Sequence, residues 1–179
     1  MVQVAKPRYF SIGYRLLYLA GGVAVFLGAY LTGAALPLNE QEAQDIVTEF
    51  TEKVNDIDET GIFLNNIGIA LAMFVPGAGV GVGIYSGVST GMVFHAFTVG
   101  VAELEGLHPL SVIATPFGIL EILAYGLAIS RSGMLVAQLA KRGRMWKEYT
   151  IPTLVELGIV IAALIAGSLI ESQAIGAEG

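Results

Sequence analysis

Long apolar runs separated by short polar segments set the rhythm of this chain. A helix needs roughly 20 apolar residues to cross the hydrocarbon core of a bilayer, and the first run, 12–36, is long enough. Pro37 ends it. Asn39 followed three residues later by Glu42 is the pattern of a helix start that caps itself. Ile46, Phe50, Val54 and Ile57 then recur at intervals of 4, 4 and 3, which predicts an amphipathic helix over 38–58 with an acidic outer face. Two further apolar segments, 62–79 and 80–102, meet at Pro76–Gly79, a bend that also fits a re-entrant arrangement. After a polar turn at Glu103, Glu105 and His108, a fourth span is expected over 109–130, interrupted by Pro116. A basic connector over 131–147 and a fifth span over 150–170 complete the pattern.

Composition sharpens this into an all-α integral membrane protein of about five transmembrane helices, with a broken, Gly-rich centre and one acidic helix outside the membrane. Only 13% of the residues are charged and the mean hydropathy is +0.72, whereas a soluble surface needs about a quarter charged. Lys6, Arg8 and Arg15 precede the first run as in a signal peptide, but that run is long for one and more spans follow, so a retained helix is expected. Arg15 is expected to snorkel to the headgroups. Eight of the fifteen acids lie in residues 40–59, whereas eight of the nine Lys and Arg residues lie in 1–15 and 131–147. The positive-inside rule therefore predicts a protein of the cell membrane with a cytoplasmic N-terminus and an outer C-terminus. Lys141, Arg142, Arg144 and Lys147 in the connector suit anionic lipid heads. No extended basic face suggests nucleic acid, and with no cysteine there is no disulfide or thiolate chemistry.

Residues 62–97 contain no formally charged side chain. Their glycines are not a phosphate loop, because neither a following Lys-Ser/Thr nor a strand–turn–helix context accompanies them. Gly79, Gly83, Gly87 and Gly91 instead repeat every four residues and share one helical face, which permits close helix packing. Packing within the chain, a homodimer contact and a narrow conducting path all fit that face. Asn65, Asn66, His95, Glu121 and Tyr125 are the candidate buried polar core. An acid as deep as Glu121 needs a hydrogen-bonding partner or an aqueous cavity, and Asn66, Tyr125 four residues on, and His95 are candidates. Glu156 and Glu171 lie near the ends of the fifth span and are expected to reach the interfaces. No catalytic set, metal cluster or cofactor motif is apparent.

FLNN, the Gly-rich span and PFGILE together resemble the stage II sporulation protein M family. Asn65 and Asn66 match its membrane-entering NN, and Gly87 and Gly91 match the glycines of an NG…G element in which Ser86 replaces asparagine. Pro116, Gly118 and Glu121 match a PHG..E segment with Phe117 in the place of histidine, and Ile170 and Glu171 resemble its IE ending. In spore formers the namesake belongs to a membrane complex that coordinates peptidoglycan-remodelling enzymes. The resemblance thus implies a non-enzymatic scaffold or accessory subunit, with membrane lipids, other membrane subunits or a second copy of itself as partners. The alternative is a small homo-oligomeric transporter or channel with Glu121 on its path.

Overall fold

The computed structural model describes residues 12–55, 59–140 and 146–177. Lys6, Arg8, Ile57, Lys141, Arg142 and Arg144 lie outside the described residues. The described chain is all α: α1 (Ile12–Ala34), α2 (Glu40–Asn55), α3 (Glu59–Met73), α4 (Ala78–Gly100), a 3-10 turn (Ala102–Leu104), α5 (Leu110–Ile113), α6 (Pro116–Ala140) and α7 (Trp146–Ala177). Among the described residues four helices are long and apolar enough to cross a membrane: α1, α4, α6, and α7 over Tyr149–Glu171. This is a multi-pass membrane protein.

Backbone-close contacts fix the helix directions. A side chain on Gly87 would meet Phe26, Ala29 and Tyr30, and one on Gly91 would meet Tyr30 and Ala34. Numbers rise together along both helices, so α1 and α4 run parallel and start at the same end. Gly22 opposes Gly126, and Arg15 reaches Ser130 and Leu127, so α6 runs opposite to α1. Glu156 bonds Arg15, whereas Gly167 lies over Phe117 and Leu120, so α7 runs with α1. Two parallel helices, α1 and α4, require the chain between them to return.

The segments α2 and α3 make that return. Asn39 Oδ1 accepts from the Glu42 amide at 2.9 Å and Glu42 Oε2 accepts from the Asn39 amide at 3.0 Å, so the expected reciprocal cap starts α2. Ala43 is fully buried, Gln44 donates to the Gly100 carbonyl at 2.9 Å, and Phe50 meets Phe97 edge-on at 5.6 Å. On the exposed side, Lys53 pairs with Glu49 at 2.6 Å and holds its carboxyl below the usual range. Helix α3 has 15 residues, a rise of about 22 Å. Gly77, at φ +84°, turns the chain into α4 with a backbone that other residues rarely adopt. Ser132 from α6 donates to the Val75 carbonyl at 2.7 Å, which also accepts from the Gly79 amide at 2.8 Å, so α6 is tied to the turn between α3 and α4.

Two boundaries differ from the sequence pattern. Pro116 starts α6 rather than interrupting a span, because a first-turn proline loses no helical hydrogen bond. Thr115 Oγ1 accepts from the Gly118 amide at 3.1 Å and caps the helix. At the other end, residues 131–140, expected in the connector, continue α6, because Arg131 finds its countercharge inside the bundle.

The four glycines at 79, 83, 87 and 91 are all buried within the chain, facing Met73, Ile129 and α1. A Cβ on Gly33 would lie 2.0 Å from the Val88 carbonyl oxygen, and one on Gly91 2.0 Å from that of Tyr30. Gly28 has nothing within 4 Å. Gly33→Ala and Gly91→Ala should each destabilise the protein by about 1–3 kcal/mol through overpacking. Gly28→Ala should be neutral or stabilising by about 0.5–1 kcal/mol. Thermal unfolding of the three variants in one detergent checks the ranking, and equal losses would contradict the close contact.

Candidate functional site

Two polar clusters occupy opposite ends of the bundle. The first lies where α3, α6 and the end of α7 meet. Asn66 Nδ2 donates to Glu121 Oε1 at 2.8 Å, and both residues are half-buried. Glu121 sits close to the start of α6 because Pro116 opens that helix. Glu171, at the end of the apolar part of α7, is near enough to repel the Glu121 carboxyl. Tyr125, one turn further along α6, is buried, interacts electrostatically with Glu121, and packs its ring 5.2 Å from that of Phe26.

The other expected members of this core lie elsewhere. Asn65 is exposed and lines a surface groove of about 490 Å³ between α3 and α4, with Gly68, Ala72, Tyr85, Ser86 and Thr90. Adjacent residues on a helix diverge by about 100°, so Asn65 and Asn66 serve different faces. His95 is half-buried on α4 and its carbonyl accepts from Thr98. The hydrogen bond described for Glu121 is to Asn66, with none to His95.

The second cluster was not expected. Arg15 donates from Nε and Nη2 to the two oxygens of Glu156, each at 2.6 Å, and from Nη1 to Ser130 Oγ at 2.8 Å. Arg131 grips the same carboxylate, through Nε at 2.8 Å and through a second close bond from Nη2. Arg131 is 3% exposed and Glu156 9%. Arg15 and Glu156, each expected to reach an interface, meet each other between α1, α6 and α7. The bidentate geometry suits guanidinium and carboxylate, and the one carboxylate is held from both sides. The available signal was the matching depth of the three charges: Arg15 enters early in α1, Arg131 lies late in the antiparallel α6, and Glu156 comes early in α7.

Neither cluster brings a nucleophile against an activating base. Among the described residues no three His, Cys, Asp or Glu side chains are grouped to hold a metal ion. The chemistry available is hydrogen bonding and charge pairing between helices.

Compared with known families, residues 16–173 match the family model described as Stage II sporulation protein M. No curated protein and no solved structure matches the chain. The matched span includes the first cluster and the Arg131–Glu156 pair of the second, with Arg15 one residue before it, and three of the segments that carried the sequence resemblance, NN, PFGILE and IE, each contribute a residue to the first.

Removing the shared carboxylate should have a large effect. Glu156→Ala leaves two guanidiniums facing each other out of water, and the loss is expected to be about 3–5 kcal/mol. Chemical denaturation in mild detergent measures it. A loss below that of an ordinary surface substitution would show that the three charges do not depend on one another.

Proposed function

Because the chain belongs to the stage II sporulation protein M family, we propose that it is a non-enzymatic membrane scaffold or accessory subunit of a membrane complex. The supporting observation is where its polar groups are used. Glu121 is bonded to Asn66, and Glu156 is bonded to Arg15 and Arg131. The glycine face of α4 is filled by α1, α3 and α6, which leaves no open path along it. Polar chemistry inside the bundle thus holds helices together, and the acidic side of α2 is offered outward for partners.

The proposed topology has five crossings, α1, α3, α4, α6 and α7, with the N-terminus in the cytoplasm, α2 outside and the C-terminus outside. The parallel run of α1 and α4 supports it, since without one crossing between them, which α3 supplies, the two would run in opposite directions. The basic charge of 1–15 and 131–147 supports its orientation. The Gln44–Gly100 and Phe50–Phe97 contacts suit α2 at the outer end of α4.

A second reading is favoured by one feature: Glu121 and Glu171 interact electrostatically near one end of the bundle. Two neighbouring acids with one amide donor could serve a proton or cation path in a small transporter, which would use the same helices in a homo-oligomer.

The chain has no cysteine, so a single cysteine introduced as Asp45→Cys reports topology directly. A membrane-impermeant maleimide should label it from outside intact cells, and labelling only after lysis would reverse the orientation. Native mass spectrometry of lipid-extracted particles should show a second polypeptide in fixed proportion, reduced when Asp45, Glu49 and Glu52 are made neutral amides. A homogeneous homo-oligomer, together with liposome flux abolished by Glu121→Ala, would replace the scaffold reading with transport.

A further inference from the structure

We propose that the Arg15–Glu156–Arg131 cluster binds an anionic phosphate group at the headgroup level of the membrane. The first ground is charge. Two guanidiniums share one carboxylate, so the cluster carries one formal positive charge more than its own acid balances. No other carboxylate bonds either arginine among the described residues. Sequence adds no nearby compensation: residues 1–11 and 141–145 carry Lys6, Arg8, Lys141, Arg142 and Arg144 and no acid, while Lys147 and Glu148 cancel. Leaving net charge at low dielectric is costly, and an external anion is the remaining way to balance it.

The second ground is an unused donor. The hydrogen bonds of Arg131 go to Glu156 through Nε and Nη2, so its Nη1 has no partner among the described residues. The third is access and depth. The Arg15 side chain is 18% exposed, so one edge of the cluster is open. Tyr14 and Tyr18 lie beside it on α1, their rings 5.0 Å apart, and Tyr149 begins the apolar part of α7. Tyrosines concentrate at membrane–water interfaces, which sets this end of the bundle among the headgroups. Guanidinium is the side chain best matched to phosphate oxygens. The same chemistry is presented by a lipid headgroup and by free phosphate, and the inference holds whether the protein is a scaffold or a transporter.

The test extracts the whole protein in a mixture of phosphatidylglycerol and phosphatidylcholine and reads the retained lipids by native mass spectrometry at raised salt, where exposed charges are screened. Phosphatidylglycerol should be enriched about fivefold, the effect of one arginine at a headgroup surface. Arg15→Gln keeps the Arg131–Glu156 pair neutral and should abolish the enrichment. Ser130→Asp sets a second acid beside Arg15, so it should do the same in a protein whose charges all remain paired. Making Lys141, Arg142 and Arg144 glutamine should leave the enrichment in place. In a second arm, inorganic phosphate is titrated onto the detergent-solubilised protein. Stabilisation by phosphate that Ser130→Asp removes, without lipid enrichment, would identify free phosphate as the source. Enrichment that survives both Arg15→Gln and Ser130→Asp, or follows the connector bases instead, overturns the proposal. An acidic polypeptide occupying the cluster in place of phosphate does so too.

Discussion

The contact on which the rest of this bundle depends is backbone against backbone between α1 and α4. Within lipid, apolar side chains gain little from leaving one apolar surroundings for another, so helices associate by close approach and by polar bonds. Gly33, Gly87 and Gly91 remove the side chains that would hold the two helices apart. The helices so joined run parallel, and that direction has a topological cost: the chain has to come back before it can start the second. The acidic α2, the short α3 and the Gly77 turn all follow from that return.

The polar clusters then divide the remaining work. Near the start of α1, one carboxylate on α7 ties α1 and α6 to it through two guanidiniums. Toward the opposite end, Asn66 joins α3 to α6 through Glu121, with Glu171 of α7 alongside. Each link joins separate helices, and near the arginine cluster small residues also bring α6 against its neighbours. Gly22 lies against the Gly126 backbone, and the Ser132 hydroxyl bonds the Val75 carbonyl. The helices are thus held by small-residue surfaces along their length and by polar bonds toward their ends.

Local chemistry was readable from the sequence; long-range pairing was not. The Asn39–Glu42 cap depends on residues three apart, and the glycine face of α4 on a four-residue period, so one short window contains the whole cause of each. Glu121 drew notice because an acid in an apolar run stands out, and Asn66 was among its candidate partners. Asn65 was grouped with it by adjacency, although neighbouring residues on a helix point to different sides. Arg15, Arg131 and Glu156 each looked like ordinary interfacial charges, because their union requires knowing that α6 is antiparallel to α1 and that α7 returns beside both. Pro116 misled in the opposite sense: a proline reads as a break until the helix is known to begin there.

The shortness of α3 also bears on how the protein is made. At 15 residues it offers the insertion machinery less apolar length than the roughly 20 that a bilayer-crossing helix needs. It is joined to α4 by a turn of only a few residues, whose Gly77 conformation suits an abrupt reversal. That geometry pairs α3 with α4 as one helical hairpin, so the apolar length that α3 lacks is supplied by the longer helix it is joined to. The surface that α1 packs against therefore arrives in the chain only with the second arm of that hairpin.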